Sequence, residues 1–112
     1  MNSRDKQIVN KIVTEIEVIE TLIVGFEESV FLTDERTKRA VCMTLINIGE
    51  LVKNLTEDFK MAYCQIPWKS IAGLRDVTAH KYQTLHMGDV WYTVQQDIPK
   101  LKESLLGTIE DC

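Results

Sequence analysis

Apolar residues recur along this chain at the spacing of an α-helix. Ile8, Ile12, Ile16, Ile19, Ile23 and Phe26 step by four, four, three, four and three, one stripe along a helix predicted over residues 3–26. Lys6, Lys11, Glu15, Glu17 and Glu20 fall mostly on its other sides, and Asn2 or Ser3 suits its cap. Residues 27–33 read as a connector. Thr33 then offers an N-cap, with Asp34 and Glu35 in a first turn where the helix dipole favours anions. Val41, Leu45, Ile48, Val52 and Leu55 carry the second helix, predicted over 34–54. Gly49 lies inside it, at a cost on the order of 1 kcal/mol against Ala. Such a glycine points to another backbone, or a ligand, approaching closely.

Thr56 followed by Glu57 and Asp58 repeats the capping signal, so a short third helix is predicted over 57–64. Gln65-Ile66-Pro67 breaks it, because the residue before a proline avoids the helical region. Pro67 suits the first position of a fourth helix, which runs to about Ala79 or Tyr82, with Ile71, Leu74 and Val77 on its buried side. Residues 83–88 read as a loop that includes His86, and Asp89 as the cap of the last helix. Val90, Val94, Ile98, Leu101 and Leu105 give its stripe, Pro99 should kink or split it, and Gly107 marks its fraying end. Three long amphipathic helices and two shorter ones predict a single all-α domain over 1–112, an antiparallel four- or five-helix bundle. Trp68 and Trp91 are large anchors for its core or for an interface, and Tyr63 and Tyr92 read as packing residues.

Composition narrows the class. Apolar residues make up 45% and charged residues 27% of 112 residues, an ordinary balance for one domain. Thirteen basic against seventeen acidic residues give a net charge of -4, so a nucleic acid would have to bind a local basic patch and not the whole surface. Cys42, Cys64 and Cys112 have no metal-type spacing and read as reduced thiols, and no metal or other cofactor is expected. The N-terminal stretch does not read as a signal peptide. No apolar run approaches the roughly 20 residues of a membrane span, so a cytoplasmic protein is expected.

The candidate chemistry lies in Ile66–Tyr82, where Arg75, His80 and Tyr82 fall within eight residues. Arginine is a permanent cation that can fork onto a phosphate, histidine trades protons near neutral pH, and the tyrosine phenol donates or accepts a hydrogen bond. Five residues turn an ideal helix by roughly 140°. Arg75 and His80 therefore converge on one ligand only if the helix ends or distorts near residue 80, or if a second subunit completes the site. Arg75 and Tyr82, seven apart, share a face. The sharp reading is RNA cleavage in which a ribose 2′-hydroxyl attacks the adjacent phosphorus, His80 taking the proton and Arg75 stabilising the phosphorane charge. From spacing alone, a helix-terminal histidine beside a surface arginine is the more ordinary reading.

Three ordered runs change that weighting: AVCMTLINIGE at 40–50, IPWKSIAGLRD at 66–76 and VWYTVQQDIPKL at 90–101. With Arg75, His80 and Tyr82 they resemble the HEPN superfamily, and most closely its HepT-type toxins, whose pattern is R-x4-H-x-Y. Asp76 stands where that family often has Asn, and Thr78 and Ala79 where it usually has a larger aliphatic pair. The resemblance implies a helical bundle that forms a homodimer, with both Arg–His pairs facing one cleft and acting as a metal-independent endoribonuclease toxic to its host. It implies a partner, a minimal nucleotidyltransferase antitoxin of the MntA type, that attaches AMP to Tyr82. Glu50, which the family shares, is then either a buried partner of Arg75 or a solvated carboxylate. Asp76 either supports the site by orienting His80 or Arg75 or repels phosphate, and Lys69 and Lys81 are candidate RNA contacts. The alternative is a non-cleaving subunit that binds a nucleotide or its nucleotidyltransferase partner.

Overall fold

A computed structural model describes residues 1–76 and 82–111, Asp76 by its backbone alone. Seven α-helices are seen among the described residues: α1 (Ser3–Ile23), α2 (Glu28–Thr33), α3 (Glu35–Lys53), α4 (Glu57–Ala62), α5 (Trp68–Ala72), α6 (Met87–Tyr92) and α7 (Ile98–Glu110). A 3-10 turn, Gly73–Asp76, follows α5, and a π turn, Thr93–Asp97, joins α6 to α7. There is no strand among the described residues, and the all-α expectation holds.

The predicted stripes are the core. Ile8, Ile12, Ile16 and Ile19 of α1, Val41, Leu45, Ile48 and Val52 of α3, and Val90, Val94, Ile98, Leu101 and Leu105 of the last helical run are all buried. α3 packs along α1 and also against α2, α5 and the 3-10 turn; α7 closes against α1. The cross-links give the directions. Asn47 donates to Glu15 across α3 and α1 at 2.8 Å, and Lys102 of α7 donates to Glu20 near the end of α1 at 2.9 Å. Asp5 near the start of α1 meets Thr56 just past the end of α3, so these two helices run antiparallel.

One buried carboxylate ties two helix starts together. Asp5, 1% exposed, accepts from the backbone N–H of Thr56 at 3.0 Å and from its hydroxyl at 2.6 Å. Thr56 in turn accepts from the N–H of Phe59, capping α4. Asn2 caps α1 by accepting from the Asp5 N–H at 2.7 Å, as its position predicts. A buried carboxylate is tolerated only with such donors around it.

Several boundaries differ from the reading of the pattern. α1 stops at Ile23 because Gly25 takes a φ of 77°, a turn that only glycine adopts readily. The expected connector 27–33 contains a helix, α2, which buries Phe31 against Trp91 with ring centroids 5.0 Å apart. Asp34, not Thr33, caps α3, its side chain accepting from the Thr37 N–H. α4 ends at Ala62 and not at residue 64. Pro67 stands just outside α5, with ψ at 70°, and not at its first helical position. α6 begins at Met87 inside the expected loop; His86 holds the cap position and Asp89 lies in the first turn. Gly107 lies inside α7, which runs on to Glu110.

Pro99 does not interrupt the helical run, which continues from Met87 through the π turn to Glu110. It sits in the first turn of α7, where a missing N–H costs little, and the π turn immediately precedes it. The widened turn lets the chain pass from α6 to α7 while Val94 and Ile98 both stay buried. Trp68 belongs to the core, its indole N–H donating to the carbonyls of Lys60 and Tyr63 at 3.1 Å each. No helix is long and apolar enough to cross a membrane, among the described residues.

Candidate active site

Arg75 is the third residue of the 3-10 turn, and α3 sets its place. A Cβ on Gly49 would come within 2.5 Å of the Arg75 backbone nitrogen and 3.1 Å of the Ala72 carbonyl oxygen. The close backbone that Gly49 predicts is therefore the backbone of the motif itself. The α-helical course gives way at Gly73, before Arg75 is reached, so the expected continuous helix from Pro67 to Ala79 is not formed. The Arg75 side chain is 42% exposed and its Nη1 lies 3.7 Å from Glu50 Oε1, on a side chain 52% exposed. Glu50 is thus a partner of Arg75, but at the surface and not in a buried pair. Such a pair contributes about 0–1 kcal/mol. Backbone packing fixes where the Arg75 side chain begins, and the exposed pair leaves its cation accessible to an anion.

Tyr82 meets the other half of α3. Its phenol donates to Glu35 Oε2 at 2.5 Å, and the same oxygen accepts from Arg39 Nε at 2.9 Å. The Arg39 guanidinium carbon lies 4.6 Å from the centre of the Tyr82 ring, a cation–π contact. Lys38 Nζ stands 3.3 Å from Glu35 Oε1. Burial, the hydrogen bond to Glu35 and that carboxylate's charge push the Tyr82 phenol up to about 12. The bond from Tyr82 in turn holds Glu35 below the usual carboxylate value. Cys42, on the same helix, is buried, and burial with the Glu35 charge pushes its thiol up to about 11, so it is a packing residue and not a nucleophile.

Both ends of the motif therefore rest on α3, Arg75 at Gly49 and Glu50, Tyr82 at Glu35 and Arg39. Eleven residues separate Arg39 from Glu50, about 16 Å along a helix axis. His80 and Lys81, predicted as catalytic base and RNA contact, lie outside the described residues, as does the side chain of Asp76. Lys69 is exposed on α5 and, with Lys60, borders a depression of about 520 Å³ that Arg75 does not line. His86 is exposed. A second groove of about 600 Å³ separates two of the three runs quoted above, with Pro67, Ile71 and Leu74 on one wall and Thr93, Ile98 and Leu101 on the other. Among the described residues, no group of three or more His, Cys, Asp or Glu is placed to hold a metal ion.

Glu35 and Arg39 are the functional candidates that the sequence did not disclose. Their spacing of four marks a helix-surface ion pair and nothing more. The contact with Tyr82, 47 residues away, is a property of the fold.

Residues 12–106 match the family model "HepT-like: Ribonuclease HepT-like". The chain is similar to a protein of Thermococcus cleftensis named "Probable ribonuclease HepT", 39% identical over 104 residues that cover 91% of this chain and 93% of that protein. It is equally similar to the "Gamma-glutamylcyclotransferase and putative RNase MJ0434" of Methanocaldococcus jannaschii, 39% identical over 102 residues. That match covers 91% of this chain but 46% of the relative, so the chain spans a little under half of that longer protein. No solved structure matches.

Proposed function

The chain belongs to the ribonuclease HepT-like family, and we propose how such an endoribonuclease cuts its RNA. Arg75 binds the scissile phosphate and stabilises the charge that builds on its oxygens as the 2′-hydroxyl attacks. His80, five residues on, takes the 2′ proton. In a homodimer the second subunit's histidine protonates the departing 5′ oxygen, so the cleft is complete only across the two-fold axis. The reaction leaves a 2′,3′-cyclic phosphate and needs no metal ion. Asp76 orients the pair, and Lys69 and Lys81 add local positive charge to a chain whose net charge is -4.

The observation that carries this reading is the placement of Arg75. A glycine that admits no Cβ fixes its backbone, while its side chain stays 42% exposed beside one carboxylate at 3.7 Å. An accessible cation on a fixed stretch of backbone is what a phosphorane transition state can use. In the same reading the protein is the toxin of a toxin–antitoxin pair. A minimal nucleotidyltransferase silences it by attaching AMP to Tyr82, which brings a phosphodiester anion and a bulky nucleoside beside the cationic site.

The test is incubation of the purified protein with tRNA or mRNA in EDTA, beside His80→Ala. Cleavage by the wild type alone, with cyclic-phosphate ends, is the expected outcome. Equal cleavage by both proteins removes His80 from the mechanism. No cleavage by either leaves a non-cleaving binding subunit.

A further inference from the structure

We propose that Glu35 is the catalytic base of AMP transfer to Tyr82: the modified protein, and not only the modifying enzyme, supplies the group that removes the phenolic proton. The proposal rests on the reading of Tyr82 as the AMP acceptor. It goes beyond that reading by assigning a residue of α3 to the chemistry.

The geometry is that of a nucleophile with its base already in place. The Tyr82 hydroxyl donates to Glu35 Oε2 at 2.5 Å, the contact from which a proton moves without rearrangement. Arg39 Nε donates to the same oxygen at 2.9 Å while its guanidinium lies over the Tyr82 ring. One cation therefore orients both the carboxylate and the phenol. Lys38 stands by the other carboxylate oxygen at 3.3 Å and is anchored by donating to the Leu32 carbonyl at 2.9 Å. These two cations offset the negative charge that Glu35 would otherwise present to an incoming triphosphate.

A base is needed here. With the phenol pushed up to about 12, only about one molecule in 10⁵ carries a phenolate at pH 7. The Glu35 carboxylate, held below its usual value, is ionised throughout the neutral range. It is too weak a base to deprotonate a free phenol outright. The proton must move in concert with bond formation, as it does to the catalytic-loop aspartate of protein kinases when a substrate hydroxyl is phosphorylated. In the step, the Tyr82 phenolic oxygen attacks the α-phosphorus of a magnesium-bound nucleoside triphosphate, ATP for AMP transfer. The new O–P bond forms as the bond from the α-phosphorus to the bridging oxygen breaks. Pyrophosphate leaves with the electron pair, the phenolic proton passes to Glu35, and Glu35 returns it to water. Nothing is oxidised or reduced.

The experiment uses the full chain with a minimal nucleotidyltransferase of the kind proposed above, ATP and Mg²⁺, and follows AMP addition by intact mass. Wild type, Glu35→Gln, Glu35→Asp and Tyr82→Phe are compared, with helicity and thermal midpoint recorded for each. The expected result is a fall in kcat for Glu35→Gln of about 100-fold or more, the scale of general-base catalysis, with KM for the protein substrate little changed. Glu35→Asp, which keeps the carboxylate, recovers much of that loss. Modification of Glu35→Gln at the wild-type rate, with Tyr82→Phe unmodified, overturns the role of Glu35 and leaves Tyr82 as the acceptor. A raised KM at unchanged kcat overturns it too, making Glu35 a docking contact. Continued modification of Tyr82→Phe, or none of the wild type, removes the acceptor reading itself.

Discussion

Arg75 and Tyr82 are both polar motif residues resting on α3, yet they are held by different forces and answer differently to mutation. Arg75 is fixed through its backbone, and its ion pair with Glu50 is long and half exposed. Arg75→Ala should therefore lower RNA cleavage by about 10²–10³-fold, while the thermal midpoint stays near that of the wild type. Steady-state cleavage beside a melting curve checks both halves. Glu50→Gln should cost cleavage far less, since it leaves the anchor intact. Tyr82 is held through its hydroxyl. Its phenol is raised in the fold, so the folded state keeps a proton that the unfolded chain has released above pH 10. Its stabilising share is present below pH 10 and is lost as pH rises towards about 12. The partner carboxylate shifts the other way: Glu35 is lowered, so its share is present above about 4.5 and fades as pH falls below that value. The difference in melting temperature between wild type and Tyr82→Phe should then be a plateau over neutral pH that shrinks on both flanks.

Elements show where the chain was legible and where it was not. The stripes of α1, α3 and α7 are buried as their periodicity predicts, because a helix must bury its apolar side whatever its neighbours are. Gly49 was legible in kind, as a close approach, though only the fold names Ala72 and Arg75 as what approaches. α2 was not legible: it is six residues long, too short for a period to emerge, and Phe31 holds it by packing on Trp91. The break at Gly73 was not legible either, since Ile71 and Leu74 fit an α-helical stripe across it. At the site, the Arg–His–Tyr spacing was in the sequence, whereas Glu35 and Arg39 are brought to Tyr82 by tertiary packing. The element-scale prediction is Gly49→Ala. Its methyl would sit 2.5 Å from the Arg75 nitrogen, and backbone cannot step aside as a flexible side chain can. Overpacking of this kind costs about 1–3 kcal/mol, against a helix-propensity gain of about 1 kcal/mol. Stability should fall or stay level in a denaturant titration, and cleavage should fall further than stability does because Arg75 is displaced.

For the whole molecule, the proposed chemistry asks for more than one chain can offer. One histidine cannot be base to the 2′-hydroxyl and acid to the 5′ oxygen in the same step. The composite cleft predicts a mass in solution of roughly twice 12.9 kDa, measurable by light scattering at micromolar concentration. A further consequence is dominance: His80→Ala mixed with wild type should lower cleavage below the share of wild-type chains, because each heterodimer keeps one histidine for two proton transfers.

The π turn at Thr93–Asp97 amounts to one surplus residue in an otherwise continuous rod. Excising Gln95 or Gln96 would hand the rod back to ordinary winding with the residues after it close to their present directions, whereas excising Lys100 from regular α7 would swing everything after it by about 100°. Leu101 and Leu105 would then face water, and Lys102 would turn away from Glu20. Counting residues, and not merely choosing them, is thus part of how this domain is closed.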